Sequence, residues 1–329
     1  MTLHLHGLGH FQPRNEISNR FLEDLDIGTN EEWIMERVGI RARRTTMPLD
    51  YIRATRNVDP RAGLEAAEHS NPDMAARASR LAIDRAGISP EAIGMVISGS
   101  SAPDSASPCE AAYIARELGL EVPTFDINSA CTSLFAQLYV LSLMRADALP
   151  PYVLVCAPEA LSRTVDYNDR SSAVLWGDAA AAVVISLTEP GRARIDGSRL
   201  ASSPAGAGHV TVPRLGHFAQ DGRKVQMFAI KKTCEVLVAL RAEYEDPERR
   251  FHFVGHQANL RMLETVCRRC EIPDDSHHSN VEWYGNTGCA SAASVISMEW
   301  DKWTDLDDIG VVGVGSGLSW AGYWIHFTS

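Results

Sequence analysis

The chain lacks the features of a membrane-bound, secreted or nucleic-acid-binding protein. The apolar stretch that ends near residue 187 is broken by Gly177 and Asp178, and no apolar run approaches the length of a bilayer span. The N-terminal apolar residues are interrupted by histidines at positions 4, 6 and 10, so no signal peptide is predicted. A formal net charge of -11 gives no broad basic surface for nucleic acid. We therefore expect a cytoplasmic protein with no membrane or nucleic-acid partner.

The chain also offers little for metal or phosphate binding. Its seven cysteines are an odd number and do not indicate a disulfide framework. Cys267 and Cys270 have CxxC spacing, but no second pair stands at zinc-ribbon spacing, and residues 260–270 predict an amphipathic helix. The glycine-rich runs at residues 7–9 and 313–317 complete neither a G-x-G-x-x-G nor a Walker pattern, so they predict tight turns. No metal site is expected.

What the chain does contain is an alternation of apolar strands and helices, which predicts an α/β fold. A length of 329 residues with 45% hydrophobic residues can bury a large core and hold two domains. Each half has a long helix, an apolar strand and a later strand–turn–helix, at residues 74–86, 93–98 and 126–131, and again at 224–244, 251–255 and 283–291. This faint repeat predicts two similar halves, 1–187 and 188–329.

Three strand ends carry residues that together suit acyl transfer. Residues 125–133 predict a buried strand that breaks through small residues into a helix, with Cys131 at the break. Helix N–H groups and the positive end of the helix dipole are expected to lower the pKa of such a thiol. His256 and Asn286 follow the apolar runs at 253–255 and 281–285. A nucleophile, an imidazole and an amide donor are the groups that acyl transfer requires.

At these residues the chain resembles the β-ketoacyl-acyl-carrier-protein synthase III enzymes of the thiolase superfamily. The matching motifs follow in order along the chain, at residues 7–13, 33–41, 131, 175–182, 256–261, 285–287 and 313–320. The resemblance implies the thiolase fold, in which two similar halves stack as a five-layered α-β-α-β-α arrangement. It places the site in the crevice between the halves, with Cys131, His256 and Asn286 as the catalytic residues.

The reaction implied by the resemblance is a decarboxylative Claisen condensation. An acyl group from acyl-CoA would be loaded on Cys131, with the backbone N–H groups of Cys131 and Ser316 as the oxyanion hole. A malonyl thioester, on acyl carrier protein, would then lose carbon dioxide to give an enolate bound by His256 and Asn286. The product would be a 3-oxoacyl thioester. No permanently bound cofactor is expected, because the coenzyme A thioester is a substrate, and the family implies a homodimer.

The resemblance also implies binding roles and reveals departures from the family. Coenzyme A would contact Trp33, Arg37, Arg163, Gly222 and Asn259, and acyl carrier protein would contact Arg261; a surface Trp–Arg pair is otherwise often simple packing. Ser107 stands before a proline where many members have phenylalanine, and Val314 and Ser316 replace phenylalanine and glycine. These changes predict an acyl pocket for a longer or functionalised starter, with Ser107 contributed to the partner's pocket.

Residues 48–71 form a longer segment than the short family members have, and part of it is basic. This segment either lies over the substrate entrance or is a solvated surface helix and turn.

Two other functions stay open at this point. A member of the same fold could pass the acyl group to an oxygen or nitrogen nucleophile without decarboxylation, although Asn286 favours enolate formation. A non-catalytic partner subunit of a larger synthase would need none of the three residues.

Overall fold

The computed structural model describes residues 1–214 and 216–328. In this part of the chain the strands are Leu3–Phe11 (β1), Asn15–Ser18 (β2), Ala42–Thr45 (β3), Ile93–Ser98 (β4), Thr124–Asp126 (β5), Tyr152–Ala160 (β6), Asp178–Ser186 (β7), Ala193–Ser202 (β8), Val210–Thr211 (β9), Ala219–Gln220 (β10), Arg250–Gly255 (β11), Asp307–Gly315 (β12) and Ser319–Phe327 (β13). The helices are Asn19–Asp24 (α1), Glu31–Arg37 (α2), Leu49–Thr55 (α3), Pro60–Ala66 (α4), Asn71–Ala86 (α5), Glu110–Leu118 (α6), Ser133–Leu143 (α7), Arg170–Ala173 (α8), Gly222–Tyr244 (α9), Leu260–Arg269 (α10), Val281–Tyr284 (α11) and Ser291–Met298 (α12).

Nine strands are hydrogen-bonded in the order β11-β12-β13-β8-β1-β7-β6-β4-β5. The strands of the first half therefore occupy one side of this order and those of the second half the other. The two sides meet where Leu3–Leu5 of β1 pair antiparallel with Ala193–Ile195 of β8. The first-half strands β4, β5 and β6 run parallel, as do β11 and β12 in the second half. The carboxyl ends of these strands form the edges at which polar side chains collect.

The helices form three layers around the two groups of strands. Helices α5 and α6 pack on the first-half strands, and α9 packs on β12 and β13 of the second half with α10 beside it. Helices α7 and α12 contact strands of both halves and lie between them. Helix α7 is accordingly buried over most of its length, with Leu134, Phe135, Leu138 and Leu141 in the core. The five-layered α-β-α-β-α arrangement predicted from the sequence is confirmed.

The division at residue 187 falls in the loop between β7 and β8, and it stays a prediction. No helix in the described part of the chain is long and apolar enough to cross a membrane.

The prediction of a tight turn at residues 7–9 is wrong, because these residues lie inside β1. A Cβ atom on Gly7 would lie 2.0 Å from the backbone oxygen of Ala82, and one on Gly9 would lie 2.0 Å from that of Ala78. Both oxygens belong to α5, so the glycines let strand and helix backbones touch. In the second glycine-rich run, residues 313–315 belong to β12 and only the residues after them form the turn into β13.

Candidate active site

Cys131 lies at the strand-to-helix break that the sequence pattern predicted. Strand β5 ends at Asp126, a single 3₁₀ turn spans Ala130–Thr132, and α7 begins at Ser133. Ala130 has a φ of 50°, a conformation uncommon for residues other than glycine. The Oδ1 atom of Asn128 accepts a hydrogen bond from the Ala130 N–H at 2.8 Å, which holds this turn. Cys131 therefore follows a strained, anchored residue on a sharp bend.

The expected lowering of the Cys131 pKa is wrong. The side chain is only 9% exposed, and burial raises the pKa of the thiol to about 12, with a further rise from the nearby charge of Glu159. Hydrogen bonds from its own backbone N–H and from Ser101 oppose the rise but are weaker. Loss of hydration penalises the thiolate more than one short helical turn stabilises it. The resting sulfur is therefore a thiol.

His256 directly follows β11, and its backbone N–H donates to the Val312 carbonyl at 2.8 Å. Its Nδ1 atom lies 2.8 Å from the Ser291 hydroxyl oxygen, which also accepts the Gln257 N–H at 3.3 Å. Burial lowers the pKa of His256 to about 4, so its imidazole is neutral at pH 7. Because a serine hydroxyl either donates or accepts, both neutral tautomers keep a partner at Nδ1. The Nε2 atom can thus serve as acceptor in one tautomer and donor in the other.

The third strand end predicted from the sequence is wrong, because residues 281–284 form the short helix α11. Asn286 is instead held by an isolated bridge: its N–H donates to Leu175 at 2.8 Å and its carbonyl accepts from Gly177 at 3.0 Å. Its side-chain Oδ1 accepts the Gly288 N–H at 3.0 Å. A backbone N–H needs an acceptor, so this bond fixes which side-chain atom is oxygen. The Nδ2 amide is the donor left for a ligand.

One cavity of about 320 Å³ brings Cys131, His256 and Asn286 together. The same cavity is lined by further residues that the sequence assigned to substrate binding: Trp33, Arg37, Gly222, Asn259, Val314 and Ser316. Ser316 stands where β12 turns into β13, and a Cβ on the preceding Gly315 would lie 3.3 Å from the backbone nitrogen of Cys131. The turn therefore runs directly past the Cys131 backbone, which is the placement that two oxyanion donors need.

Arg163 is not in this cavity, so its predicted contact with coenzyme A is contradicted. Its side chain is 5% exposed, and Nη2 lies 2.6 Å from Oδ1 of Asp104. Arg170, which sequence reasoning missed, occupies the expected place: its guanidinium carbon lies 4.9 Å from the centre of the Trp33 ring. Arg37 lies 5.6 Å from the same ring. No sequence signal distinguishes Arg170 from Arg163, because both lie in the same stretch before the Gly-Asp motif.

Two further predicted residues lie outside the cavity. Arg261 uses Nε and Nη2 to donate to the Met35 carbonyl, at 3.1 and 2.8 Å, and its Nη1 donates to Glu264. It therefore ties α10 to α2, the helix that carries Trp33, and carrier docking by Arg261 stays a prediction. Ser107 is exposed and does not line the cavity of its own chain. Its contribution to a partner's pocket also stays a prediction.

Glu159 at the end of β6 is a buried carboxylate that the sequence reading did not single out. It accepts hydrogen bonds from the Ser100 and Ser101 hydroxyls and from the backbone N–H groups of Ser101 and Cys289, at 2.9 to 3.2 Å. Burial raises its pKa, and these donors oppose the rise. A Cβ on Gly288 would lie 2.4 Å from its Oε2 atom. Glu159 therefore joins the loop that follows β4, at Ser100 and Ser101, to the loop after Asn286.

Comparison with known proteins identifies the family. The family model for 3-oxoacyl-[acyl-carrier-protein] synthase III matches residues 125–204, and the model for its C-terminal part matches residues 245–327. The β-ketoacyl-[acyl-carrier-protein] synthase III of Oceanobacillus iheyensis is 31% identical over 327 residues, which cover 97% of each chain. The chain belongs to the 3-oxoacyl-[acyl-carrier-protein] synthase III family.

Solved structures agree with this family assignment. The 3-oxoacyl-[acyl-carrier-protein] synthase III from Aquifex aeolicus superposes with a TM-score of 0.86 at 27% identity, covering 99% of this chain and 100% of the other. The priming β-ketosynthase of the R1128 polyketide pathway superposes with a TM-score of 0.83 at 27% identity, covering 99% of this chain and 96% of the other. The protein is thus a synthase III-like condensing enzyme with a thiolase fold, of the acyltransferase class.

Proposed function

We propose that this synthase III-like enzyme transfers an acyl group from acyl-CoA to Cys131 and then to a malonyl thioester. In the first step the Cys131 sulfur bonds to the thioester carbonyl carbon, and its proton passes to Nε2 of His256. The tetrahedral oxyanion accepts hydrogen bonds from the backbone N–H groups of Cys131 and Ser316. Coenzyme A then leaves as the thiol, taking that proton, and the acyl group remains on sulfur. The neutral imidazole of His256 supports this step, because it can accept the proton.

In the second step a malonyl thioester enters and releases carbon dioxide. The electron pair of the broken bond forms an enolate, whose oxygen accepts from Asn286 Nδ2–H and from His256 Nε2–H, in the tautomer whose Nδ1 accepts from the Ser291 hydroxyl. The nucleophilic carbon then bonds to the acyl carbon, and the Cys131 thiolate leaves and takes up a proton from water. The observation that carries the proposal is the Gly288–Asn286 hydrogen bond, because it leaves Asn286 as a donor. Two donors at one point stabilise an enolate oxygen, whereas activation of a hydroxyl or amine acceptor by His256 would leave the Asn286 donor without a role.

Coenzyme A would enter through the cavity with its adenine against Trp33 and its phosphates near Arg37 and Arg170. Gly222 and Asn259 line the path between this end and Cys131. The side chain of Asn259 caps α10 by accepting the Met262 N–H at 2.7 Å, which keeps this wall fixed. The malonyl donor would be carried by acyl carrier protein, and the working unit would be a homodimer.

The acyl group would occupy a smaller chamber of about 180 Å³ on the other side of Cys131. Its walls are largely apolar, with Leu161, Trp176, Val210 and Phe218 around the methylene chain. We infer a starter longer than acetyl, because an acetyl group would leave most of these apolar walls in contact with water.

Intact-protein mass spectrometry after incubation with a panel of acyl-CoAs tests this proposal. We expect the mass of one acyl group on the wild-type protein and on the control Cys109→Ala, which lacks a half-buried thiol elsewhere, but not on Cys131→Ala. Malonyl-acyl carrier protein should then discharge the acyl group as a 3-oxoacyl product.

Discharge to a hydroxyl or amine acceptor instead would favour the acyltransferase alternative. If neither acyl-CoA nor acyl-carrier-protein donors label the protein, the role of Cys131 is refuted.

A further inference from the structure

The acyl chamber has a second cavity beside it. Ser101, Asn128 and Val212 line both this chamber and a second cavity of about 450 Å³. The two cavities therefore meet at these three residues, on the side of the chamber away from the coenzyme A entrance. The second cavity is therefore the neighbouring space for an acyl group on Cys131 that outgrows the first chamber.

The second cavity differs from the first in charge. Its lining includes three arginines, Arg61, Arg163 and Arg214, and among the described lining residues a single acidic one, Asp104. Both carboxylate oxygens of Asp104 are engaged, Oδ1 by Arg163 at 2.6 Å and Oδ2 by the Asn71 N–H at 2.9 Å. Arg61 and Arg214 are exposed side chains that form no ion pair within the described residues. A cationic pocket stands out in a chain whose net charge is -11.

Arg61 belongs to the longer segment 48–71 and lines this cavity. Between α3 and α4, Asn57 is fully buried, and its Nδ2 donates to the Arg163 and Val165 carbonyls, both at 2.8 Å. The Asn57 carbonyl oxygen in turn lies 2.8 Å from a ring nitrogen of His217. The segment is therefore a surface helix pair that Asn57 anchors to the loop that follows β6. Helix α4 places Arg61 beside the acyl path.

We propose that the second cavity binds a carboxylate at the distal end of the acyl group, so that the starter is an ω-carboxyacyl thioester. The proposal rests on the acyl-enzyme at Cys131 argued above. The methylene chain would lie against the apolar walls of the first chamber, and Arg61 and Arg214 would bind the terminal carboxylate. Arginine presents planar N–H pairs that match a carboxylate, and such charge-assisted bonds are stronger than neutral ones.

A partner subunit in a homodimer would strengthen the pairing of these arginines with a carboxylate. The loop that forms one wall of the cavity, at residues 101–106, leads directly to Ser107, which we expect to reach the partner's pocket in a homodimer. A partner there would separate the arginines from bulk water, and a carboxylate–guanidinium pair is worth more in such a setting. An uncharged starter of the same length would leave both guanidinium groups without a counter-charge.

The test compares matched donors of equal chain length, glutaryl- to suberoyl-CoA against valeryl- to octanoyl-CoA. The rate of acyl transfer to Cys131 is followed by intact mass spectrometry on the full chain. We expect the carboxylated donor to react about tenfold faster at the best length, which corresponds to about 1.4 kcal/mol. The double variant Arg61→Gln, Arg214→Gln should lose this ratio, and Arg53→Gln, which lies on α3 and lines neither cavity, should keep it.

The outcomes separate the two proposals. Labelling by uncharged donors without any preference for the carboxylated ones would overturn the cavity assignment and leave the role of Cys131 intact. A preference that survives in the double variant would likewise show that other groups bind the carboxylate. Absence of labelling by every donor, acyl carrier proteins included, would refute the acyl-enzyme itself. The lysine pair Arg61→Lys, Arg214→Lys should retain part of the ratio, which distinguishes charge from a folding defect.

Discussion

Replacing Asn286 by aspartate separates the two half-reactions, because the side chain keeps its shape while its donor is lost. Oδ1 can still accept the Gly288 N–H, so the loop is held as before. The Nδ2 donor is replaced by an oxygen, which at pH 8 repels an enolate when ionised. Loss of one preorganised donor costs about 2.7–4 kcal/mol, or about 10²–10³ in rate. We expect Asn286→Asp to slow condensation by about that factor while acyl transfer to Cys131 changes less than about threefold.

The assay is a single-turnover experiment on enzyme already acylated at Cys131, mixed with malonyl-acyl carrier protein and quenched for mass spectrometry of the product. Asn280→Asp is the control, because Asn280 lies in the same segment and is buried but does not line the cavity. Equal losses in both half-reactions would show that the substitution disturbs the site as a whole. A condensation rate within about tenfold of wild type would contradict enolate stabilisation by Asn286.

Three other predictions concern the entrance, the pH response and the core. Arg170→Gln should raise KM for acyl-CoA about fivefold with little change in kcat. Arg163→Gln should instead lower the free energy of unfolding by about 2 kcal/mol, because the half-buried Asp104 carboxylate loses its guanidinium partner. Steady-state kinetics and urea unfolding distinguish the two. Burial lowers the pKa of His256 to about 4, whereas an unfolded chain has a pKa near 6.5, so acid protonates the unfolded state first. The free energy of unfolding should therefore fall by about 3 kcal/mol as the pH falls from 6.5 to 4. Urea unfolding across that range should show a smaller loss in His256→Asn. Gly9→Ala should cost about 1–3 kcal/mol of stability by separating β1 from α5, while Gly208→Ala, where nothing lies within 4 Å, should unfold at the wild-type urea concentration.

The order of elements and the layering were predictable because strand and helix periodicity and motif order are local properties of the sequence. The strand at 93–98 and the helix at 224–244 agree with β4 and α9 to within two residues. The strand predicted at 281–285 was wrong for a physical reason. A short apolar segment is compatible with both strand and helix, and the residues that it packs against determine which one forms. Here the backbone of Asn286 pairs with Leu175 and Gly177, which are far away in sequence. The tight turn predicted at Gly7 and Gly9 was wrong for a similar reason, because close strand–helix contact and a tight turn both favour glycine.

Side-chain environments were less predictable than positions. The sequence placed a cysteine at a helix start correctly, but the number of atoms that would cover the sulfur was invisible, and so was the charge of Glu159 beside it. For the same reason the sequence assigned the coenzyme A contact to Arg163, whereas Arg170 lies over Trp33. Both lie in the stretch between β6 and β7, and only the folded chain shows that one turns inward to Asp104 while the other lies over Trp33.

The opposite pKa shifts of Cys131 and His256 determine how the nucleophile is generated. Burial raises the pKa of the thiol to about 12 and lowers that of the imidazole to about 4, so each group favours its neutral form at rest. The neutral pair is therefore the resting state, and the sulfur loses its proton only as it bonds to the thioester carbon. The reactive thiolate then forms only when an acyl donor fills the cavity, and an unoccupied site keeps its sulfur in the less oxidisable form.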